Sequence, residues 1–376
     1  MKNKKLGIYI HIPFCIRKCN YCDFCSFPDT KGDIIERYVN ALCERIRDFS
    51  PLARNYSVDT VYFGGGTPTL MSPDSFEKIL SLLFSEYDIE KNAEITCECN
   101  PASIDAEGLA ALRRLGINRL SIGLQSANEN ELRALGRIHS FEDFKRTFLD
   151  AREAGFENIS ADLMYGIPYQ TRESFEKTLN ALIALSPEHI SAYGLKVEDG
   201  TAFAKLYEKG ELILPDEDTE YDLYCDAERI LSDSGYERYE ISNFAKRGYG
   251  SRHNLRYWQG EEYIGFGVAA HSYFGGERFG NSRDIDAFMR GEDIVCERST
   301  VTEEEKLWEY VMLSLRLATG LDREKFRLLS GKSIEEAFPT ISKFISEGFL
   351  SDDGKSIAFT TKGFFVSNYI LSDLMP

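Results

Sequence analysis

Between residues 6 and 11 apolar and small residues alternate in the period of a strand. A cysteine-rich loop follows. Residues 34–49 then place apolar side chains at Ile35, Tyr38, Val39, Leu42 and Ile46, a helical spacing. The two patterns keep alternating. Strands are expected at 60–63, 94–99, 119–124, 159–164 and 189–195. Helices are expected at 75–84, 105–115, 141–154 and 174–184, with a polar helical start after Gln125. Gly116 and Gly155 are natural helix stops. Strand–helix units spaced by roughly 30 to 40 residues imply parallel strands with crossover helices. A closed TIM barrel needs about 250 residues for its eight units. Six units in about 200 residues therefore predict an α/β fold with a partial (β/α)6 TIM-type barrel, open on one side.

Beyond residue 195 the pattern changes. Pro215-Asp216 opens a helix that runs to about residue 234, with Asp216 as N-cap. Residues 235–280 are rich in Gly, Tyr and Arg and read as loops and short strands laid against the barrel. Residues 302–319 form an amphipathic helix with an acidic first turn, Glu303 to Glu305. Helices at 322–329 and 333–347 follow. A hairpin over 350–360 turns at Asp352-Asp353-Gly354. Helices followed by a hairpin predict a small winged-helix-like α+β domain. The expected divisions are 1–235, 236–298 and 299–376.

Composition narrows the classes. A hydrophobic fraction of 43% over 376 residues supports a sizeable core. A net charge of −17 argues against nucleic-acid partners and a basic membrane-facing patch. Nine cysteines, odd in number and mostly scattered, are not a disulfide framework and suit a reducing cytosol. No apolar run approaches the ~18 residues of a membrane span. A soluble cytoplasmic chain is expected.

The densest chemistry lies in Tyr9-Ile-His-Ile-Pro-Phe-Cys15-Ile-Arg-Lys-Cys19-Asn-Tyr-Cys22-Asp-Phe-Cys25. Thiolates are soft ligands that hold iron–sulfur clusters. Three sulfurs spaced C-x3-C-x2-C can grip three corners of a cubane and leave one iron open. A structural zinc knuckle is the alternative, but zinc ribbons use paired C-x2-C hooks. The turn Gly64-Gly65-Gly66-Thr67-Pro68 ends the second strand. Glycines let backbone approach a ligand closely, and no Walker-type Gly-Lys-Ser/Thr follows. Glu98, Gln125, Arg137 and Asp162 fall at or just past strand ends, on the rim where such sheets bind ligands. Singly, each reads as a cap or surface group. Together they can grip a zwitterionic, ribose-bearing cofactor.

A second cluster is His253-Asn254-Leu255-Arg256-Tyr257-Trp258, preceded by Arg252. Imidazole is a common haem ligand, arginines can pair propionates, and aromatics can lie on a porphyrin face. The residues alone favour a buried histidine among packed aromatics over a ligand. His271 is a competing ligand, and His11 reads as structural. Cys25 reads as a neighbour of the cluster rather than a ligand. Of Cys97 and Cys99, only one is expected to face inward, and neither is assigned a role.

The cysteine spacing resembles the radical S-adenosylmethionine (SAM) superfamily. The motifs Tyr9 to Cys15, Gly64 to Pro68, Ser121-Ile-Gly-Leu-Gln-Ser126, Leu135-Gly-Arg-Ile-His139 and Asp162-Leu-Met-Tyr-Gly-Ile-Pro168 are, in order, similar to the oxygen-independent coproporphyrinogen III oxidase family. The resemblance covers nearly the whole chain and is nearest the haem chaperone branch. Only eight residues precede Tyr9, too few for the oxidase's N-terminal extension. The loop ends Cys22-Asp-Phe-Cys25 rather than Cys-x-Cys. The segment His253-Asn-x-x-Tyr257-Trp258 matches the branch's haem motif. One departure is Cys25, where other members can carry a non-thiol.

The resemblance implies a 4Fe–4S cluster on Cys15, Cys19 and Cys22. It implies SAM contacts from Tyr9, Gly65, Gly66, Thr67, Glu98, Gln125, Arg137 and Asp162, and haem binding by His253, with Tyr257 and Trp258. The implied function is a haem chaperone that passes haem to an acceptor protein not identifiable from sequence. The alternative is radical decarboxylation of coproporphyrinogen III, and an iron–sulfur protein without radical chemistry is a third reading. A homodimer and transient membrane association are compatible with the first.

Overall fold

The computed structural model describes residues 4–28, 33–101 and 103–374. The outer domain limits expected above, residues 1 and 376, lie outside them. Six strands lie side by side in chain order: β1 (Lys4–Ile12), β2 (Tyr56–Gly65), β3 (Ile89–Cys99), β4 (Arg119–Gln125), β5 (Ile159–Tyr165) and β6 (His189–Gly194). All five pairings are parallel. Helices cover such strands on their outer face, so they read as near-continuous apolar runs. Every residue of β4 is buried.

The crossovers carry α1 (Ile34–Phe49), α2 (Pro73–Glu86), α3 (Ala106–Arg114), α4 (Glu129–Leu135), α5 (Phe141–Glu153) and α6 (Arg172–Ile183). Ser72, Asp105, Asn128, Ser140 and Thr171 start α2 to α6, each accepting from an N–H of the first turn. Gly136, in the left-handed conformation at φ 75°, stops α4.

The sheet does not end at six strands. After α7 (Ala202–Glu208) and α8 (Glu217–Asp233) come β7 (Glu237–Arg238), β8 (Asn243–Ala245), α9 (Arg252–Trp258), β9 (Tyr263–Phe266), β10 (His271–Phe274), β11 (Glu277–Asn281), α10 (Ile285–Met289) and β12 (Val295–Thr300). Strand β9 pairs in parallel with β1, and β10, β11 and β12 continue outward antiparallel. At the other edge β8 and β7 add antiparallel to β6. The result is an open twelve-stranded sheet.

Residues 235–280 therefore extend the sheet edge to edge rather than lying against it. The two edges of a six-stranded parallel sheet expose unpaired backbone groups, which these short strands satisfy. Helix α9 plugs the barrel at the N-terminal halves of the strands. The backbone N–H groups of Arg252 and His253 donate to the Glu94 carboxylate at 3.1 Å each.

The C-terminal unit contains α11 (Glu303–Leu315) and a three-stranded sheet of Leu321–Asp322, Ser356–Phe359 and Leu350–Asp352, in that spatial order. The helix expected over 333–347 is two, Ile334–Ala337 and Ile341–Ser346. Pro339, which lacks an N–H and restrains Phe338, falls between them. Two further helices, Thr361–Phe365 and Ser367–Leu374, close the chain. One contiguous set of buried apolar residues runs from Leu6 to Leu374, joining this unit to the barrel.

Candidate functional site

The cysteine loop leaves β1 at the C-terminal rim of the barrel and is closed at its base. The Phe27 N–H donates to the Pro13 carbonyl (2.6 Å), and the Cys15 N–H to that of Phe27 (3.1 Å). Its far side docks on the end of α4, where Asn20 donates to the carbonyls of Leu135 (3.0 Å) and Ala134 (2.8 Å). His11, as expected, is structural. Its Nε2 donates to the Cys25 carbonyl at 2.8 Å, so its Nδ1 accepts from Tyr9 Oη at 3.0 Å.

The glycine turn locks against this loop. The N–H groups of Gly66 and Thr67 donate to the carbonyls of Ile12 (2.8 Å) and Phe14 (2.7 Å). A Cβ on Gly66 would lie 2.5 Å from the Phe14 carbonyl oxygen. One on Gly65, which sits at φ 113°, would meet the His11 ring. Only glycine fits either position.

Cys15, Cys19 and Cys22 are free, half-buried thiols. They share a cavity of about 440 Å³ with Gly65, Gly66, Glu98, Gln125, Arg137 and Asp162. The expected cluster ligands and six of the eight expected SAM residues thus face one space. Thr67 sits behind the loop instead. Its Oγ1 accepts from Asn100 at 2.7 Å and donates to Cys15 Sγ at 3.7 Å. Tyr9 faces away, into a neighbouring cleft. Among the described residues, no three His, Cys, Asp or Glu side chains converge as on a single metal ion.

The polar groups are held from behind. Glu98 accepts from Tyr62 Oη (2.9 Å) and the Gly65 N–H (3.0 Å). Burial pushes its carboxyl up to about 7. The Tyr62 bond opposes that rise, and the Asp162 charge adds to it. Burial also raises Asp162, although Ser121 donates to it at 3.1 Å. Arg137 follows α4 rather than a strand. It donates to Cys19 Sγ (3.4 Å), Asn100 Oδ1 (3.0 Å) and the Gly123 carbonyl (3.0 Å). Its Nε is buried without a partner. Gln125 takes a left-handed φ of 69° as β4 ends.

A carboxyl poised near 7 makes cation binding pH-dependent. Glu98 is mostly neutral at pH 6 and mostly ionised at pH 8. An ammonium-bearing cofactor placed against it should bind roughly tenfold tighter at pH 8. Equilibrium dialysis with labelled SAM checks this. The slope should flatten in Glu98→Gln, and an equal slope in both proteins contradicts it.

Other lining residues were not among those expected: Tyr62, Asn100, Arg119, Ser191 and Tyr193. Arg119 is fully buried with an unpaired Nε. A charged residue opening a wholly buried strand, Arg-Leu-Ser-Ile-Gly-Leu-Gln, was its signal. Of Cys97 and Cys99, only Cys99, at the end of β3, borders the cavity. Residues two apart share a face of a strand. Both are buried on the face opposite Glu98, and Cys99 reaches the cavity only because β3 ends there.

The expected haem residues are not gathered on an open face. His253 is only 1% exposed. Its Nδ1 is bonded to Thr60 Oγ1 (2.9 Å) and its Nε2 to Tyr257 Oη (2.8 Å). Its ring stacks on Tyr62 at 5.1 Å. To ligate iron it would have to give up one bond and leave the barrel interior. Trp258 lies under the Arg316 guanidinium, 5.9 Å from the ring centroid. Arg256, expected to pair a propionate, is buried and bonded to Asp59 and Glu261. Arg252 donates to the Asn92 carbonyl at 2.7 Å. Only Tyr257 of the trio opens on the cleft beside the cysteine loop.

Residues 9–182 match the family model of the radical SAM superfamily, and residues 301–366 that of the HemN C-terminal domain. The chain is 36% identical over 371 residues to the heme chaperone HemW of Bacillus subtilis, covering 96% of this chain and 97% of that protein. It is 33% identical over 384 residues to HemW of Lactococcus lactis, covering 100% and 98%. The solved coproporphyrinogen III oxidase HemN of Escherichia coli superposes with a TM-score of 0.85 over 100% of this chain and 91% of that one. At 24% identity it speaks for the fold alone. With similarity of this degree along its whole length, the chain belongs to the HemW haem chaperone family within the radical SAM superfamily.

Proposed function

We propose that the protein is a cytoplasmic haem chaperone that carries a SAM-liganded 4Fe–4S cluster and passes haem to an acceptor protein. The observation that carries the cofactor half is the confinement of three free thiols and a set of buried polar groups to one cavity. The donor set fits the group. Three thiolates would hold three irons, and the thiols have no disulfide partners. Bound there, the cluster supplies an open iron position and an electron.

The chain's own groups do the rest. Arg137, at 3.4 Å from Cys19 Sγ, offsets thiolate charge. Glu98, ionised above about 7 and lining the cavity, would hold the cofactor's ammonium. Asp162 offers acceptors to its hydroxyls. Thr67 and Tyr9 act on the loop: Thr67 through its bond to Cys15, Tyr9 through its bond to His11.

The haem half rests on full-length similarity to haem chaperones. Among the described residues no helix is long and apolar enough to cross a membrane.

Two assays on anaerobically reconstituted protein test the reading. Added haemin should develop a Soret band that moves to apomyoglobin when that acceptor is supplied. With SAM, reductant and coproporphyrinogen III, no vinyl product should accumulate. Catalytic turnover to vinyl product, or no haem uptake at all, overturns the proposal.

A further inference from the structure

Arg119 differs from the other buried arginines. It opens β4 inside the barrel, opposite Thr96 of β3. It is 2% exposed and lines the inner end of the three-thiol cavity, away from the cysteine loop. Arg256, equally buried, is bonded to Asp59 and Glu261. Arg137 donates to Cys19, Asn100 and Gly123. Among the described residues Arg119 forms no ion pair and donates no side-chain hydrogen bond. Its Nε is sealed without a partner, and so is the Thr96 hydroxyl opposite. A guanidinium has only donors, and a buried charge left without a partner is costly.

The carboxylates of the same cavity do not supply the partner. Both feel the Arg119 charge, but both are committed elsewhere. Glu98 accepts from Tyr62 and the Gly65 N–H, and Asp162 accepts from Ser121 and Ser160. Burial raises both carboxyls, which weakens them further as counter-charges. Asn254 reaches the cavity from α9, and among the described residues its side-chain amide has no partner. Its neighbour His253 also feels the Arg119 charge, which places α9 close to that guanidinium. A forked guanidinium with an amide beside it is a donor set for a carboxylate. The cavity of about 440 Å³ must also take the cofactor, so the acid has to be small.

We infer that the inner end of the three-thiol cavity is an anion subsite, where Arg119 and Asn254 hold the carboxylate of a small organic acid that is distinct from SAM. The subsite lies beneath the cofactor position and adds a second small-molecule ligand to the chain. It does not depend on the haem chaperone reading, and none of its tests reads haem.

The test uses the full chain, before and after cluster reconstitution, with acetate as the probe and acetamide as its neutral counterpart. Calorimetry should show acetate binding in the millimolar range expected of so small a ligand, and no binding of acetamide. Arg119→Met should weaken acetate at least tenfold without lowering the melting temperature of the ligand-free chain, because it replaces an unpaired buried charge by an apolar chain of similar length. Arg119→Lys keeps the charge but loses the fork, and should bind acetate with intermediate affinity. It also serves if the methionine variant does not fold. Saturating SAM should leave acetate affinity within about twofold. Acetate that fails to bind the wild type, or binds the Arg119 variants equally well, overturns the subsite. A lower melting temperature in Arg119→Met with acetate binding unchanged shows a structural counter-ion instead. Acetate displaced by SAM, with SAM weakened in Arg119→Lys, assigns the guanidinium to the cofactor's own carboxylate and overturns the separate acid.

Discussion

Replacing Cys15, Cys19 and Cys22 together with alanine abolishes the brown absorbance of reconstituted protein and takes its iron from ~4 per chain to background. The three thiols share one cavity on a loop that can wrap a cluster. Cys25 is buried and opens on the adjacent cleft instead. Cys97 is buried in β3, and Cys99, which borders the cavity, is a single buried thiol bonded to the Asn100 carbonyl and cannot replace three ligands. Cys25→Ser should therefore keep full iron content. The triple variant should still fold. The loop is fixed by backbone bonds at Pro13, Cys15 and Phe27 and by the side chains of His11 and Asn20, none of which needs a thiol. Circular dichroism separates loss of cluster from loss of fold. Iron retained near the wild-type level contradicts the ligand set.

The second large effect is on stability. His253→Ala removes a buried ring, two hydrogen bonds and a stacking contact with Tyr62. A cavity plus two orphaned hydroxyls should cost roughly 3 to 5 kcal/mol in denaturant unfolding at pH 7.5. Burial depresses the imidazole to about 3, aided by Arg256 and Arg119, against about 6.5 in the unfolded chain. The folded state thus holds the ring neutral. Its contribution is complete above about 6.5 and fades as pH falls toward 3, because only the unfolded chain takes up the proton. The gap between wild type and variant should shrink by about 2 kcal/mol at pH 5. A gap that stays constant with pH would show that the ring titrates normally and is not sealed.

Much of this was legible in the chain. The six parallel strands followed from apolar runs such as 119–124 alternating with helical periods. The three thiols and the glycine turn were legible because metal ligation and close backbone approach demand particular residues at fixed spacing. What lay outside that grammar was harder to see. Strands β7 to β12 are short, and β12 is wholly exposed, so they lack the alternation that marks a half-buried strand. They form because the edges of the parallel sheet need partners.

The role of His253 could not be read from its neighbours in sequence, since Thr60 and Tyr62, which fix it, lie some 190 residues away. The motif's i,i+4 spacing did place His253 and Tyr257 on one helix face. There the ring's Nε2 is bonded to the Tyr257 hydroxyl. His271 meets Glu297 through the ladder of β10, β11 and β12, and no local pattern announces such a ladder.

The claim on which the account turns is that the three-thiol cavity holds a cluster with one iron open to SAM. Electron paramagnetic resonance of the reduced, reconstituted protein tests it most directly. The account predicts that adding SAM shifts the g-values of the cluster signal in the wild type, and that Glu98→Gln weakens the SAM dependence. A cluster signal unmoved by saturating SAM would mean that no iron is open, and would contradict it.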